Sequence, residues 1–360
     1  MSNTRAQWSG RLGFILAATG SAIGLGNLWK FPYITFENNG GAFVLVYLGA
    51  IAVVGAPIMV AEILLGRRSQ KNAVGAFRVL SKGKPGGGAW RGVGILGVTT
   101  GFVILSYYSV IAGWTLRYIL MAVSGELGDL AYHPEALESF FGGFLGNPLE
   151  QILYHCVFMG ATVGVVFFGV GKGIERAAKI LMPVLFAILV VLVVYSISTP
   201  GFRQAMAFLF RPNFHELTTG SVLEALGHSF FTLSLGMGAM LTYGSYMRKR
   251  DSIPRAAVTI CALDTLIAIM ACVIMFSIIF SFDFEVTKSS SILFTTLPVV
   301  FFKLPGGHVI SALFYLLVSF AALSSTISLL EVVSSYAIDE FGWARRRATL
   351  TMGAAILAFG

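Results

Sequence analysis

Gly20-Ser21-Ala22-Ile23-Gly24-Leu25-Gly26-Asn27 decides how this chain folds. The stretch lies inside an apolar run, 11–37, long enough to cross a membrane. Three glycines followed by an Asn weaken the helix at mid-run. A second run, 221–247, carries Phe231-Thr232-Leu233-Ser234-Leu235-Gly236-Met237-Gly238 near its middle. Close packing through small residues accounts for the glycines, but not for Asn27, Thr232 and Ser234 beside them.

Around these two runs the hydropathy predicts further spans at 41–66, 92–123, 152–169, 174–198, 255–281 and 308–338, and the start of a ninth near 349. Residues 349–360 would rise only about 18 Å as helix, short of the roughly 30 Å hydrocarbon core. The reading therefore expects a chain truncated inside its ninth span. Of the 360 residues 56% are hydrophobic and 12% charged, and the mean hydropathy is +0.81. Soluble domains carry roughly a quarter charged residues. The expectation is an all-α membrane protein, residues 1–360 forming one transmembrane domain.

Charge alternates from loop to loop. Residues 67–91 hold Arg67, Arg68, Lys71, Arg78, Lys82, Lys84 and Arg91 with no acid, whereas 124–151 hold Glu126, Asp129, Glu135, Glu138 and Glu150 with no Lys or Arg. Further basic clusters stand at 172–179, 248–255 and 345–347. The positive-inside rule then places the N-terminus of this multi-pass chain in the cytoplasm, and the expected location is the inner (plasma) membrane. The net charge of +8 is spent on topology, so no nucleic-acid partner is expected. Cys156, Cys261 and Cys272 have no metal-ligand spacing, the five histidines form no cluster, and no cleavable leader is evident. Gly86-Gly87-Gly88 lacks the Gly-Lys-Ser/Thr of a phosphate loop.

Span six follows five crossings, so it runs opposite to span one. Gly-interrupted segments at corresponding places in two inverted halves point to a transporter's binding site. The freed carbonyls can hold a cation, and the exposed start of a half-helix favours a carboxylate. Asp264, within an otherwise apolar span, is costly at that depth and reads as functional. The plainer alternative is a protonated, hydrogen-bonded Asp in helix packing.

Gly24-Leu25-Gly26-Asn27 with Phe31-Pro32-Tyr33, Glu37-Asn38-Asn39-Gly40-Gly41, Gly173-Ile174-Glu175-Arg176 and Phe230-Phe231-Thr232-Leu233-Ser234-Leu235-Gly236 resemble the neurotransmitter:sodium symporter family, in its bacterial amino-acid transporter branch. The resemblance runs from Arg5 to about Arg347. It implies a leucine-transporter-like fold of inverted five-helix repeats, the first over 11–198 and an incomplete second over 221–360. It implies sodium-coupled symport of a neutral hydrophobic or aromatic L-amino acid by alternating access.

The resemblance also implies sites. The first sodium site maps to Ala22, Asn27, Thr232 and Asp264, and the second to Gly20, Ile23, Ala321, Ser324 and Ser325. Alone, Ser324-Ser325-Thr326 would read as helix-to-helix hydrogen bonding. The substrate pocket maps to Ala22, Leu25, Gly26, Ile104, Tyr108, Ile111, Phe231, Thr232, Ser234, Met237, Ser325 and Leu329. Leu25 and Gly26 N–H groups and the Tyr108 hydroxyl would take the carboxylate. A monoamine would need an acid at Gly24. About two Na⁺ ions are implied, with no organic cofactor. Chloride is not expected to be required, because Asp264 would supply its charge where the leucine-type relatives have a Glu at the position of Ala268. Arg5, Trp8, Tyr246 and Asp339 map to the cytoplasmic gate. Lys30 stands for the usual Arg of the outer gate, and His228 for a usual Gln. Glu62 would hold the backbone of span six, and Gly173 with Pro183 would let span five unwind. A homodimer is left open. The competing readings are a sodium-dependent amino-acid binding protein or receptor without transport, a membrane enzyme using Asp264, Glu62 or Glu331, and coupling to protons through Asp264.

Overall fold

The computed structural model describes residues 5–282 and 290–360, and among them every regular element is helical. Six helices have the length and apolarity to cross a membrane: Gly41–Ser69, Trp90–Ser124, Pro148–Phe167, Val170–Ile197, Ile253–Ile279 and Gly307–Phe341. They are spans two, three, four, five, seven and eight, each within about four residues of the sequence expectation. Span one is the pair Arg11–Ala22 and Gly26–Glu37, bent by 50° at the break. Span six is likewise two pieces, Thr219–Thr232 and Ala239–Gly244. A helix over Arg345–Phe359 begins the ninth, four residues before the expected start because its basic first turn remains helical.

The breaks have local causes. At the first, Ile23 is extended (φ −77°, ψ 115°), and the chain re-enters helix through a π-turn at Gly26–Lys30. At the second, Gly236 and Gly238 take φ +79° and +78°, and Ser234 takes φ +53°. Glycine adopts that region freely; for Ser it is unusual and needs support. The Ser234 hydroxyl supplies it by donating to the Ser21 carbonyl at 2.8 Å, from one break to the other.

Span eight packs along span three, and the first half of span one lies against spans five, seven and eight. Span two meets the second half of span six almost backbone to backbone. A Cβ at Gly66 would run into the Leu241 carbonyl, and one at Gly244 would come 2.7 Å from the Ile63 carbonyl. Small residues allow such close approach where no hydrophobic drive exists between helices in lipid.

Span nine is fastened to the bundle by charge. Glu331, fully buried in span eight, takes two hydrogen bonds from Arg345 at 2.7 and 2.9 Å and one from the Tyr246 hydroxyl at 2.5 Å. Losing one partner of a buried pair costs about 3–5 kcal/mol. Glu331→Gln should therefore lower the thermal midpoint in detergent clearly more than Arg78→Gln does, although Arg78 also pairs with an acid, Glu340. Equal midpoints for the two variants would exclude this role for Glu331.

Candidate functional site

Asp264 sits where the two breaks meet. It is fully buried. One carboxylate oxygen, Oδ1, accepts from Asn27 Nδ2 at 2.8 Å and from the Thr232 hydroxyl at 3.0 Å. The other, Oδ2, accepts from the Tyr47 hydroxyl at 3.4 Å. Asn27 also closes the first break, its Oδ1 accepting the Gly24 N–H at 3.1 Å. Among the described residues no cationic side chain pairs with Asp264. A buried carboxylate held only by neutral donors needs a cation or a proton from outside. Oxygen-only surroundings at an unwound backbone suit a hard alkali cation.

A second oxygen cluster lies between the first break and span eight. The Ser325 hydroxyl reaches the carbonyls of Ile23 at 3.1 Å and Ser21 at 3.3 Å. That of Ser324 reaches Ala321 at 2.9 Å and Ile23 at 3.5 Å. Gly20 completes the group: a Cβ there would come 3.2 Å from Ser324 and 3.0 Å from Met182 of span five. Every oxygen in this set is neutral, a chemistry that could hold a monovalent hard cation. Of the residues expected at two sodium sites, Asn27, Thr232 and Asp264 meet in one oxygen cluster, Ile23, Ala321, Ser324 and Ser325 meet in the other beside Gly20, and Ala22 lines the cavity between them.

A cavity opens between the clusters. It is lined by Ser21, Ala22, Gly24, Gly26, Ile104, Tyr108, Phe231, Thr232, Ser234, Met237, Ser325 and Leu329. Leu25 does not line it by side chain. Its N–H instead donates to the Tyr108 hydroxyl at 2.9 Å, so that hydroxyl accepts at the break and keeps its own proton for a further donation. Ile111 is a correction. One turn beyond Tyr108 (residues 104, 108 and 111 share a face of span three), it lies close to the middle of the span, half-buried against the core and outside the lining. Gly24 leaves no room for a side chain, since a Cβ would fall 2.6 Å from both the Ser325 and Tyr108 hydroxyls. An acidic residue there is excluded by space as well as by sequence.

The residues expected at one gate, Arg5, Trp8, Tyr246 and Asp339, lie together. Arg5 pairs with Asp339 at 2.6 Å and stacks 4.8 Å over the Tyr246 ring. Trp8 is buried and donates its ring N–H to the Tyr243 carbonyl at 3.0 Å and its backbone N–H to Tyr246 at 3.1 Å. Asp339 also accepts from Asn72 at 2.7 Å. On the opposite side Lys30 is exposed and meets the Phe231 ring at 5.5 Å. His228 is buried, stacked on Phe31 at 5.4 Å, with neither ring nitrogen hydrogen-bonded. Glu62 accepts the Gly236 N–H at 2.7 Å, bracing the second break. Gly173 lies in a π-turn, and Pro183 falls inside the following helix.

Sequence reasoning missed Tyr47, Ser21 and the Glu331–Arg345 pair as site neighbours. Tyr47 is one of 12 tyrosines in a featureless apolar run and carries no local signal. Ser21 adjoins the first break and hydrogen-bonds to Ser328 at 2.7 Å; its position beside the glycines was the available hint.

The chain is similar to known proteins over most of its length. The family model described as the sodium:neurotransmitter symporter family matches residues 5–131 and 144–359. A Bacillus subtilis protein named a sodium-dependent transporter is 41% identical over 91% of this chain and 71% of its own length. A Haemophilus influenzae protein named likewise is 33% identical over 99% of this chain and 79% of its own. The crystal structure of MhsT in complex with L-phenylalanine superposes with a TM-score of 0.90 at 46% identity, over 99% of this chain and 79% of that one. The fold is therefore the leucine-transporter-like one, and the protein is a multi-pass membrane protein with a small-molecule substrate. Broken spans and sequence likeness agree: the chain belongs to the sodium:neurotransmitter symporter family.

Proposed function

We propose that the chain couples about two sodium ions to the uptake of a neutral hydrophobic or aromatic L-amino acid, without chloride, by alternating access. The reading places the N-terminus in the cytoplasm and the two repeats over 11–198 and from 221 onward. The observation that carries it is the Asp264 carboxylate, held by one residue from each break and, among the described residues, lacking a cationic partner. A sodium ion there lies beside the cavity, and the substrate carboxylate completes its charge balance. Tyr108 and the start of the second half of span one orient that carboxylate. Carbonyls of Ala22, Phe231, Thr232 and Ser234 face the ammonium. Ile104, Met237 and Leu329 receive the side chain, and the flexible thioether of Met237 tolerates more than one shape. The co-crystallised L-phenylalanine of MhsT supports an aromatic substrate.

The Arg5–Asp339 pair is shut in this state. Release to the cytoplasm requires it to part, with span one swinging from spans five and eight. Each charge crossing 100 mV contributes about 2.3 kcal/mol, and a tenfold gradient about 1.4 kcal/mol. Two sodium ions thus supply roughly 7 kcal/mol, ample for concentrative uptake.

The test is uptake by proteoliposomes under a sodium gradient, with each of the twenty amino acids. Apolar and aromatic ones should accumulate, equally with gluconate in place of chloride, and not at all with choline in place of sodium. Uptake that persists in choline and follows a pH gradient would transfer the coupling to protons. Sodium-dependent binding with no accumulation would favour the receptor reading.

A further inference from the structure

We infer that the face bearing the closed gate has a binding site for the phosphate of an anionic membrane lipid, and that its occupancy holds that gate shut. A cavity of about 370 Å³ is lined by Gln7, Gln70, Arg248, Lys249 and Arg250. Three cations stand beside two amides with no acid in the lining, and although the Gln70 amide already donates to the Arg67 carbonyl at 3.0 Å, the cationic donors supply the chemistry of a phosphate site. Among the described residues no carboxylate pairs with Arg248, Lys249 or Arg250. The loop's one acid, Asp251, is outside the lining; its carbonyl is tied to span two by Arg67 at 2.6 Å.

The position selects a lipid over a soluble anion. Gln70 caps the end of span two, which closes at Ser69, and the loop 248–252 leads directly into span seven at Ile253. Both ends reach the level of the headgroups, and basic pockets between spans at that level take lipid phosphates. The inference rests on the orientation proposed above only for naming the leaflet.

The coupling to the gate is direct. Gln7 belongs to the N-terminal strap, and the three cations follow span six. Arg248 already bridges these pieces, its Nε donating to the Trp8 carbonyl at 3.1 Å. Trp8 in turn fastens to Tyr243 and Tyr246. Opening the gate separates strap from loop and dismantles the cavity. A ligand that binds only the assembled cavity shifts the population toward the closed state.

The test uses the full chain in nanodiscs of phosphatidylcholine, with or without phosphatidylglycerol in both leaflets. Two readouts are taken: lipid retained in native mass spectrometry, and hydrogen exchange at the Trp8 amide, which donates to Tyr246. Phosphatidylglycerol should be retained and should slow that exchange. Lys249→Gln with Arg250→Gln should weaken retention about fivefold for each charge removed and abolish the protection. Lys82→Gln with Lys84→Gln, which removes equal charge from another basic loop, should change neither. Equal loss in both double variants would overturn the site, as would unchanged exchange with phosphatidylglycerol. Protection by inorganic phosphate in pure phosphatidylcholine would overturn the lipid assignment. Neither readout uses sodium or amino acid, so failure here and failure of the transport reading are separable.

Discussion

Asp264→Asn should make sodium-dependent amino-acid binding depend on chloride. The substitution keeps the shape of the side chain, and the Asn27, Thr232 and Tyr47 donors remain around it. What disappears is the one formal negative charge in the cluster. Two unit charges about 4 Å apart, at an effective dielectric of about 20, interact by roughly 4 kcal/mol; solvation by the remaining dipoles offsets part of that. Apparent sodium affinity should fall on the order of a hundredfold or more in gluconate, and chloride should restore a good part of it. The measurement is equilibrium binding of the best-bound amino acid against sodium concentration, in chloride and in gluconate. The wild type should show one curve in both salts. If Asp264→Asn also shows a single unshifted curve, the carboxylate neither ligates the ion nor replaces chloride, and it belongs to helix packing.

The second large effect is expected from Tyr108→Phe. The hydroxyl accepts the Leu25 N–H at the first break and lines the cavity. Hydrogen bonds to a charged group contribute about 1.5–3 kcal/mol, so affinity for the amino acid should drop roughly 10- to 150-fold. The unpaired Leu25 N–H adds a structural cost, which a lowered thermal midpoint would report separately. The discriminating comparison is the amino-acid amide, which has no carboxylate. If Tyr108 contacts the carboxylate, the amide binds weakly to the wild type and loses little further in the variant. A proportionate loss for both ligands would mean that Tyr108 only shapes the cavity.

Several features were legible in the chain because their causes are local. Span positions follow from runs of apolar residues, and eight of them recur within a few residues of the reading. Both breaks were legible because glycine clusters and polar neighbours weaken a helix wherever it lies. The chemical type of the ion clusters was legible in part: Asp264 stands out as an acid in an apolar span, and hydroxyls at 324 and 325 stand out beside alanines. The pocket list needed the family resemblance, since Ile104 and Leu329 look like any other lipid-embedded residues. Ile111 shows the limit of that route, because it shares the helical face of Ile104 and Tyr108 yet packs against neighbouring apolar side chains outside the lining.

The sequence by itself determined the helical class, the alternation of charge across the membrane and the two interruptions, since each depends on composition within one run of about 20 residues. Only the tertiary structure decided that Asn27 and Thr232 share the carboxylate of Asp264, that Ser234 bridges the breaks through Ser21, and that Gln7 lines one cavity with Arg248, Lys249 and Arg250. Those groups are separated by up to some 240 residues, and what joins them is the packing of oppositely directed spans, which no local pattern encodes.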